Sequence, residues 1–144
     1  KTYTDEVVDK ALKIEEQYKF KKIYVDDGGL GFGVLSYLKR NSKTKEKTIA
    51  INNSSRPVNP DSNKNIKTRK EELYFNFHAL GQQGNLLLLK DDEIAESLRS
   101  IVTEINPETK QRKIHGKNTH IVEGMIRACW AAQEKHLNLW VRWS

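Results

Sequence analysis

The chain has 144 residues, with 25 lysines and arginines against 19 aspartates and glutamates, a formal charge of +6. That length suits one domain with one core, and the positive balance favours a polyanionic partner such as nucleic acid, though it serves plain solubility equally well. Cys129 is the only cysteine, which excludes a disulfide framework and a cysteine zinc site and leads one to expect a reducing, intracellular setting; no apolar run is long enough for a membrane span, and no N-terminal signal is expected. The sequence opens on Lys1 rather than methionine, so a longer parent protein is expected.

In chain order, residues 4 to 19 read as a helix, with Thr4 as cap, Asp5 and Glu6 in the first turn, and Val7, Ala11, Ile14 and Tyr18 at helical spacing. KKIYVDD sets Ile23 and Val25 against Tyr24 and Asp26, a strand that ends in acids. Beyond the glycines, Val34, Leu35 and Leu38 predict a helix stopping near Asn41, and KTIAI at 47 to 51 predicts a second strand beside the first. NNSSRPVNPDSNKNI, residues 52 to 66, has the composition of a loop. Leu73, Phe77 and Leu80 place a helix over about 67 to 80, closed by Gly81, and an extended LLLL run follows at 86 to 89. Asp91 or Asp92 caps a short helix carrying Ile94, Ala95 and Leu98. Ile101, Thr103 and Ile105 alternate, NPETK turns and QRKIH returns, which reads as a hairpin. A last helix is expected from about Thr119 to Lys135, with Ile121, Val122, Met125, Ile126, Cys129 and Ala132 on its buried side.

Two stretches carry candidate chemistry. GGLGFG, residues 28 to 33, fails both nucleotide-binding patterns: Val34 stands at the third glycine of the dinucleotide fingerprint, and Val34 and Leu35 stand where a phosphate loop needs Lys and then Ser or Thr. The glycines then supply either a tight strand-to-helix turn or close backbone approach behind Asp26 and Asp27. In KNTHIVEG, residues 117 to 124, His120 and Glu123 are three apart and are expected to share one helical face, opposite Ile121, Val122 and Met125. They read either as two ligand-type side chains on one turn, or as an exposed histidine beside a Glu123 to Arg127 pair at i, i+4. His115 could add a third nitrogen, or be an exposed hairpin residue.

The order of these elements resembles the C-terminal nuclease domain of viral terminase large subunits, in the ribonuclease H-like superfamily to which RuvC resolvases are also similar. The residues that carry the resemblance are IYVDDGGLGFGVLSYL (23 to 38), KTRKEELYFNFHALGQQGNLLLL (67 to 89), DDEIAESLRSI with the NPETK hairpin and RKIHGK, and NTHIVEGMIRA (118 to 128). The resemblance implies an α/β fold, a mixed sheet flanked by helices with an inserted β-hairpin, spanning residues 1 to 144 as one partial domain. It also implies a two-metal-ion DNA endonuclease that cuts concatemeric viral DNA during packaging, holding Mg2+ or Mn2+.

Carried over by position, Asp26 matches the second acid of that family, and His120 and Glu123 match its last-helix ligands, with Asp27 adjacent; the three are expected to converge. Three departures stand beside the match: the opening strand with the first acid would lie upstream of Lys1, a histidine replaces an acid at 120, and Glu123 is one methylene longer than aspartate. Arg56, Lys64, Lys67, Arg69, Lys110, Arg112, Lys113 and Lys117 are expected to track DNA phosphates around the acids. The implied partners are double-stranded DNA, a portal protein and an N-terminal ATPase domain of the same polypeptide, in the cytoplasm of an infected host cell. The alternatives are a RuvC-like junction resolvase and a catalytically silent DNA-binding or docking module.

Overall fold

The computed structural model describes residues 4–29, 31–58 and 66–133. Among the described residues the chain is mixed α/β, with five helices and two small sheets, one parallel and one antiparallel. The chain divides into two compact units, Lys1–Asn53 and Ser54–Ser144.

The first unit runs α1 (Thr4–Tyr18), β1 (Ile23–Asp26), α2 (Gly31–Arg40) and β2 (Thr48–Ile51). β1 and β2 pair in parallel, with Ile23 opposite Thr48 and Asp26 opposite Ile51, and α2 is the crossover that parallel strands require. α1 packs on α2. Its buried stripe is displaced from the expected one: Val7 is 40% and Tyr18 63% exposed, whereas Val8 and Glu15 are buried. A glutamate can lie on that face because Lys47 Nζ pairs with its carboxylate, which also accepts from Phe20 N at 3.0 Å. Lys47 Nζ donates in addition to the Phe20 carbonyl at 3.1 Å. Two buried threonines shape the α2 to β2 link: Thr44 Oγ1 donates to Leu38 O at 2.6 Å, and Thr48 Oγ1 donates to Thr44 O at 2.8 Å.

Glycine is required at the turn between β1 and α2. Gly29 has φ +56°, and a Cβ on Gly31 would stand 1.9 Å from the Asp26 carbonyl oxygen. The helix therefore starts against the backbone of the strand it has just left, in a turn closed by Gly31 N donating to Gly28 O at 3.0 Å.

The second unit contains α3 (Arg69–Gln82), α4 (Asp92–Arg99), β3 (Val102–Ile105), β4 (Arg112–His115) and α5 (His120–Ala132). Thr68 caps α3 by accepting from Glu71 N at 3.2 Å, while the Glu71 carboxylate accepts from Lys67 N at 2.9 Å, a reciprocal capping arrangement. α3 continues through Gly81 to Gln82, and the left-handed residue beyond it is Gly84, at φ +72°. Asp91 caps α4 by accepting from Ile94 N at 3.0 Å. α3 and α4 pack on α5 around Leu73, Val122 and Ile126, all buried. Ser97 ties α4 to the start of α5, donating to Asn118 O and accepting from Val122 N at 3.3 Å.

The hairpin forms as expected, pairing Val102 with His115 and Ile105 with Arg112. The LLLL run has no strand assignment; Leu87 and Leu89 are 85% and 76% exposed. An apolar run becomes a strand only where a neighbour completes its hydrogen bonds. The 52 to 66 loop is anchored on α3 at its described start, through Arg69 N to Ser55 O at 2.7 Å and Val58 N to the Glu72 carboxylate at 2.9 Å.

Gly31→Ala is expected to destabilise the chain by about 2–3 kcal/mol, because the added methyl meets backbone that cannot rotate away. Gly124→Ala, within α5 and with nothing inside 4 Å of its added Cβ, is expected to stabilise by roughly 0.5–1 kcal/mol. Urea unfolding of both variants checks the pair.

Candidate acidic sites

Asp26 closes β1, and its half-buried side chain turns back into the glycine turn. Oδ1 accepts from Gly28 N at 3.0 Å, and Oδ2 accepts from the Asn53 amide at 3.1 Å. Asn53 follows β2, so the ends of both parallel strands meet at this carboxylate. Gly28 belongs to the same arrangement, since a Cβ there would come within 3.2 Å of Asp26 Oδ1. Asp27 Oδ1 is buried and has no hydrogen-bond partner among the described residues. Sequence reasoning missed Asn53; its position just past the second strand was the available signal.

Glu123 and His120 lie in the second unit and Asp26 in the first, and each is described where it stands. His120 and Glu123 stand three apart in α5, as expected, but differ in burial: His120 opens the helix and is exposed, while Glu123 is half-buried beside the buried Arg127. Of the expected buried side of α5, Ile121 and Ala132 are exposed and Met125 and Cys129 half-buried. The reason is the partner set of Glu123. Its Oε1 accepts from the Tyr74 hydroxyl at 3.0 Å and lies 3.3 Å from Lys70 Nζ, and its Oε2 accepts from Arg127 Nη1 at 2.8 Å. Arg127 Nη1 also donates to Glu123 O at 2.6 Å.

Burial alone would raise the Glu123 carboxyl above its usual range, but the Arg127 hydrogen bond, the Lys70 charge and the Tyr74 hydroxyl together outweigh it and hold the group low. Burial and the facing Glu123 charge push the Tyr74 hydroxyl well up, so it stays protonated as a donor. Of these partners, Arg127 was legible at i, i+4; Lys70 and Tyr74 come from another helix and no local spacing marks them.

The expected phosphate-binding residues differ in accessibility. Arg56, Lys67, Lys110, Lys113 and Lys117 are exposed. Arg69 is buried: its Nη1 pairs with Glu72 at 2.6 Å and its guanidinium lies 4.0 Å from the centroid of the Trp130 ring. That guanidinium acts inside the unit. Arg112 is half-buried over the Phe75 ring at 5.1 Å. His115 Nε2 lies 3.0 Å from Glu104 Oε1, across the hairpin and out of hydrogen-bond alignment. Lys64 lies outside the described residues.

Among the described residues, no group of three or more His, Cys, Asp or Glu side chains is arranged to hold a metal ion, and no helix is long and apolar enough to cross a membrane. No protein-family model matches the sequence, and neither a curated protein nor a solved structure is significantly similar to the chain.

Glu123→Gln is expected to cost about 1.5–3 kcal/mol at neutral pH, since it removes the charge that Arg127 and Lys70 face. Because the folded carboxyl is held below its ordinary value of 4.5, this contribution is complete above that pH and disappears as pH falls through the lower folded value. The stability gap between parent and variant should therefore close on acidification; a gap that stays constant between pH 7 and pH 3 contradicts the assignment.

Proposed function

We propose that the chain is the nuclease portion of a DNA-packaging terminase, of ribonuclease H type, with Asp26 and Asp27 as carboxylates of a divalent-metal site. One observation carries this reading: Asp27 Oδ1 is buried and has no hydrogen-bond partner among the described residues, next to a positioned Asp26 at the carboxyl end of a parallel strand. Open α/β units bind ligands at that end of their strands, and a buried polar oxygen without a partner calls for an ion or a water.

The donor set suits Mg2+ or Mn2+. Both prefer hard oxygen ligands, and magnesium keeps several waters while using one or two carboxylates together with substrate phosphates. When bound, such a metal neutralises phosphate charge and activates a water for attack at phosphorus. The chain's own part would be to orient and to admit. The Gly28 amide and the Asn53 amide fix the plane of the Asp26 carboxylate, Asp27 offers its open oxygen, and the side-chain-free turn at Gly28 and Gly29 lets a phosphate approach the backbone.

His120, exposed at the start of α5, keeps its proposed ligand role in this reading. Glu123 keeps its place in the proposal as well, but it would have to exchange Arg127, Lys70 or Tyr74 for a metal. That engagement specifically favours a second reading, a catalytically silent module of the same fold that binds or docks on DNA. A junction resolvase of RuvC type is the remaining enzyme reading, and the hairpin inserted before α5 sets the chain apart from it.

Titrated with Mn2+ and followed by electron paramagnetic resonance, the 144-residue chain is expected to bind the ion, and Asp26→Asn and Asp27→Asn should each weaken binding at least about tenfold. Plasmid nicking by the chain should require Mn2+ or Mg2+ and stop with chelator. Mn2+ binding that is absent, or indifferent to both substitutions, rules the metal site out. DNA binding without nicking under every metal condition selects the silent module.

Duplex binding in either case is expected to weaken with salt. Lys110→Gln and Lys113→Gln should each reduce the slope of log affinity against log salt by about 0.9. Arg69→Gln should lower the unfolding temperature instead and leave that slope unchanged, because its charge faces Glu72 and Trp130.

A further inference from the structure

The segment YKFKK, residues 18 to 22, begins at the last residue of α1. Tyr18 ends the helix and is 63% exposed; Phe20 is 39% exposed. The two rings lie nearly parallel, 19° between planes with centroids 5.9 Å apart. Single exposed aromatics are common on protein surfaces. Stacking hides part of each ring from water and so favours the pair by itself, yet both side chains remain exposed.

The backbone supplies the alignment. Lys19 between them adopts φ +52°, a left-handed conformation that usually falls to glycine. It is held there by Lys19 N donating to Glu15 O at 2.8 Å and by Phe20 N donating to the Glu15 carboxylate at 3.0 Å. Lys47, half-buried beside the buried Glu15, donates to the Phe20 carbonyl at 3.1 Å. The reversal folds Phe20 back alongside Tyr18. A strained non-glycine residue kept in place by a buried ion pair points to a use for the resulting shape.

The surroundings of the rings are cationic. Lys19 and Lys21 are exposed on either side of Phe20, and Lys22 follows. The nearby acids are already matched: Glu15 by Lys47, and Glu16 by Lys43 at 2.5 Å. Exposed parallel rings interleaved with lysines have the chemistry that binds unpaired nucleotides, in which bases stack on aromatic faces and cations follow the phosphates. A duplex keeps its base faces inside the helix and cannot use such rings.

We infer that Tyr18 and Phe20, flanked by Lys19 and Lys21, form a stacking platform for the unpaired bases of single-stranded nucleic acid. The platform is sequence-tolerant, since every base has a stacking face and lysine reads none of the base edges. It uses neither the Asp26 and Asp27 carboxylates nor the basic residues of the second unit, so it stands or falls independently of the nuclease reading.

The test is fluorescence anisotropy with labelled oligothymidylate, oligouridylate and duplex DNA, each of about 12 nucleotides per strand. Tyr18→Leu and Phe20→Leu should each weaken single-strand binding roughly 5- to 150-fold while leaving duplex binding unchanged. Tyr18→Phe, which keeps the ring, should bind as the parent does and guards against misreading a folding defect. Lys19→Gln and Lys21→Gln should each reduce the single-strand salt slope by about 0.7. Tighter binding of oligothymidylate assigns DNA as the source of the strand, and tighter binding of oligouridylate assigns RNA; either supports the platform if the leucine variants lose it. Leucine variants that bind single strands as tightly as the parent, equal losses on duplex, or a parent that binds no single strand at low salt would each overturn it.

Discussion

Both units are organised around charges taken out of water and matched inside the protein. Glu15 with Lys47 in the first unit, and Arg69 with Glu72 and Glu123 with Arg127 in the second, join carboxylates to cations at or near the packed interior. Among the described residues the buried apolar side chains are few, and buried polar or charged ones outnumber them. A core of that composition gains little from area alone. It depends on every buried charge finding its partner, because an uncompensated buried charge costs several kcal/mol.

These pairs do more than balance charge. Glu15 closes α1, holds the left-handed turn at Lys19 and, through Lys47, sets where β2 begins. Glu72 accepts from both Arg69 and the Val58 amide through one oxygen, Oε2, so the polar loop starts from a fixed point. Glu123 connects α5 to α3 through Tyr74 and Lys70. In each case one carboxylate joins segments far apart in the chain, which non-directional apolar contact does less specifically.

The Asp26 region obeys a different constraint, the close approach of backbone to backbone. Gly31 lets the start of α2 rest against the Asp26 carbonyl, and Gly28 leaves room for the Asp26 carboxylate. Asp26 is thus held against a turn in which Gly28 and Gly31 leave little or no room for a Cβ. Asp26 and Glu123 differ accordingly: the first is oriented by neutral amides, the second is charge-matched by two cations and a hydroxyl.

Local pattern was sufficient for much of this protein. Spacing of apolar residues, the cap at Asp91 and the NPETK turn marked the helices and the hairpin, and alternation in KKIYVDD marked a strand ending in acids, since each of these rests on neighbours within a few residues. What local pattern could not decide was which side of a helix packs when a charge is buried. Val8 and Glu15 face inward in α1 in place of Val7 and Ile14, and Glu123 and Arg127 are drawn into the packed side of α5, because Lys47 and Lys70, distant in sequence, supply the matching charges. The same holds for Asn53 on Asp26 and for the exposed leucines at 87 and 89. Hydrogen-bond partners and strand neighbours of this kind exist only once the chain has folded, so tertiary structure alone determined them.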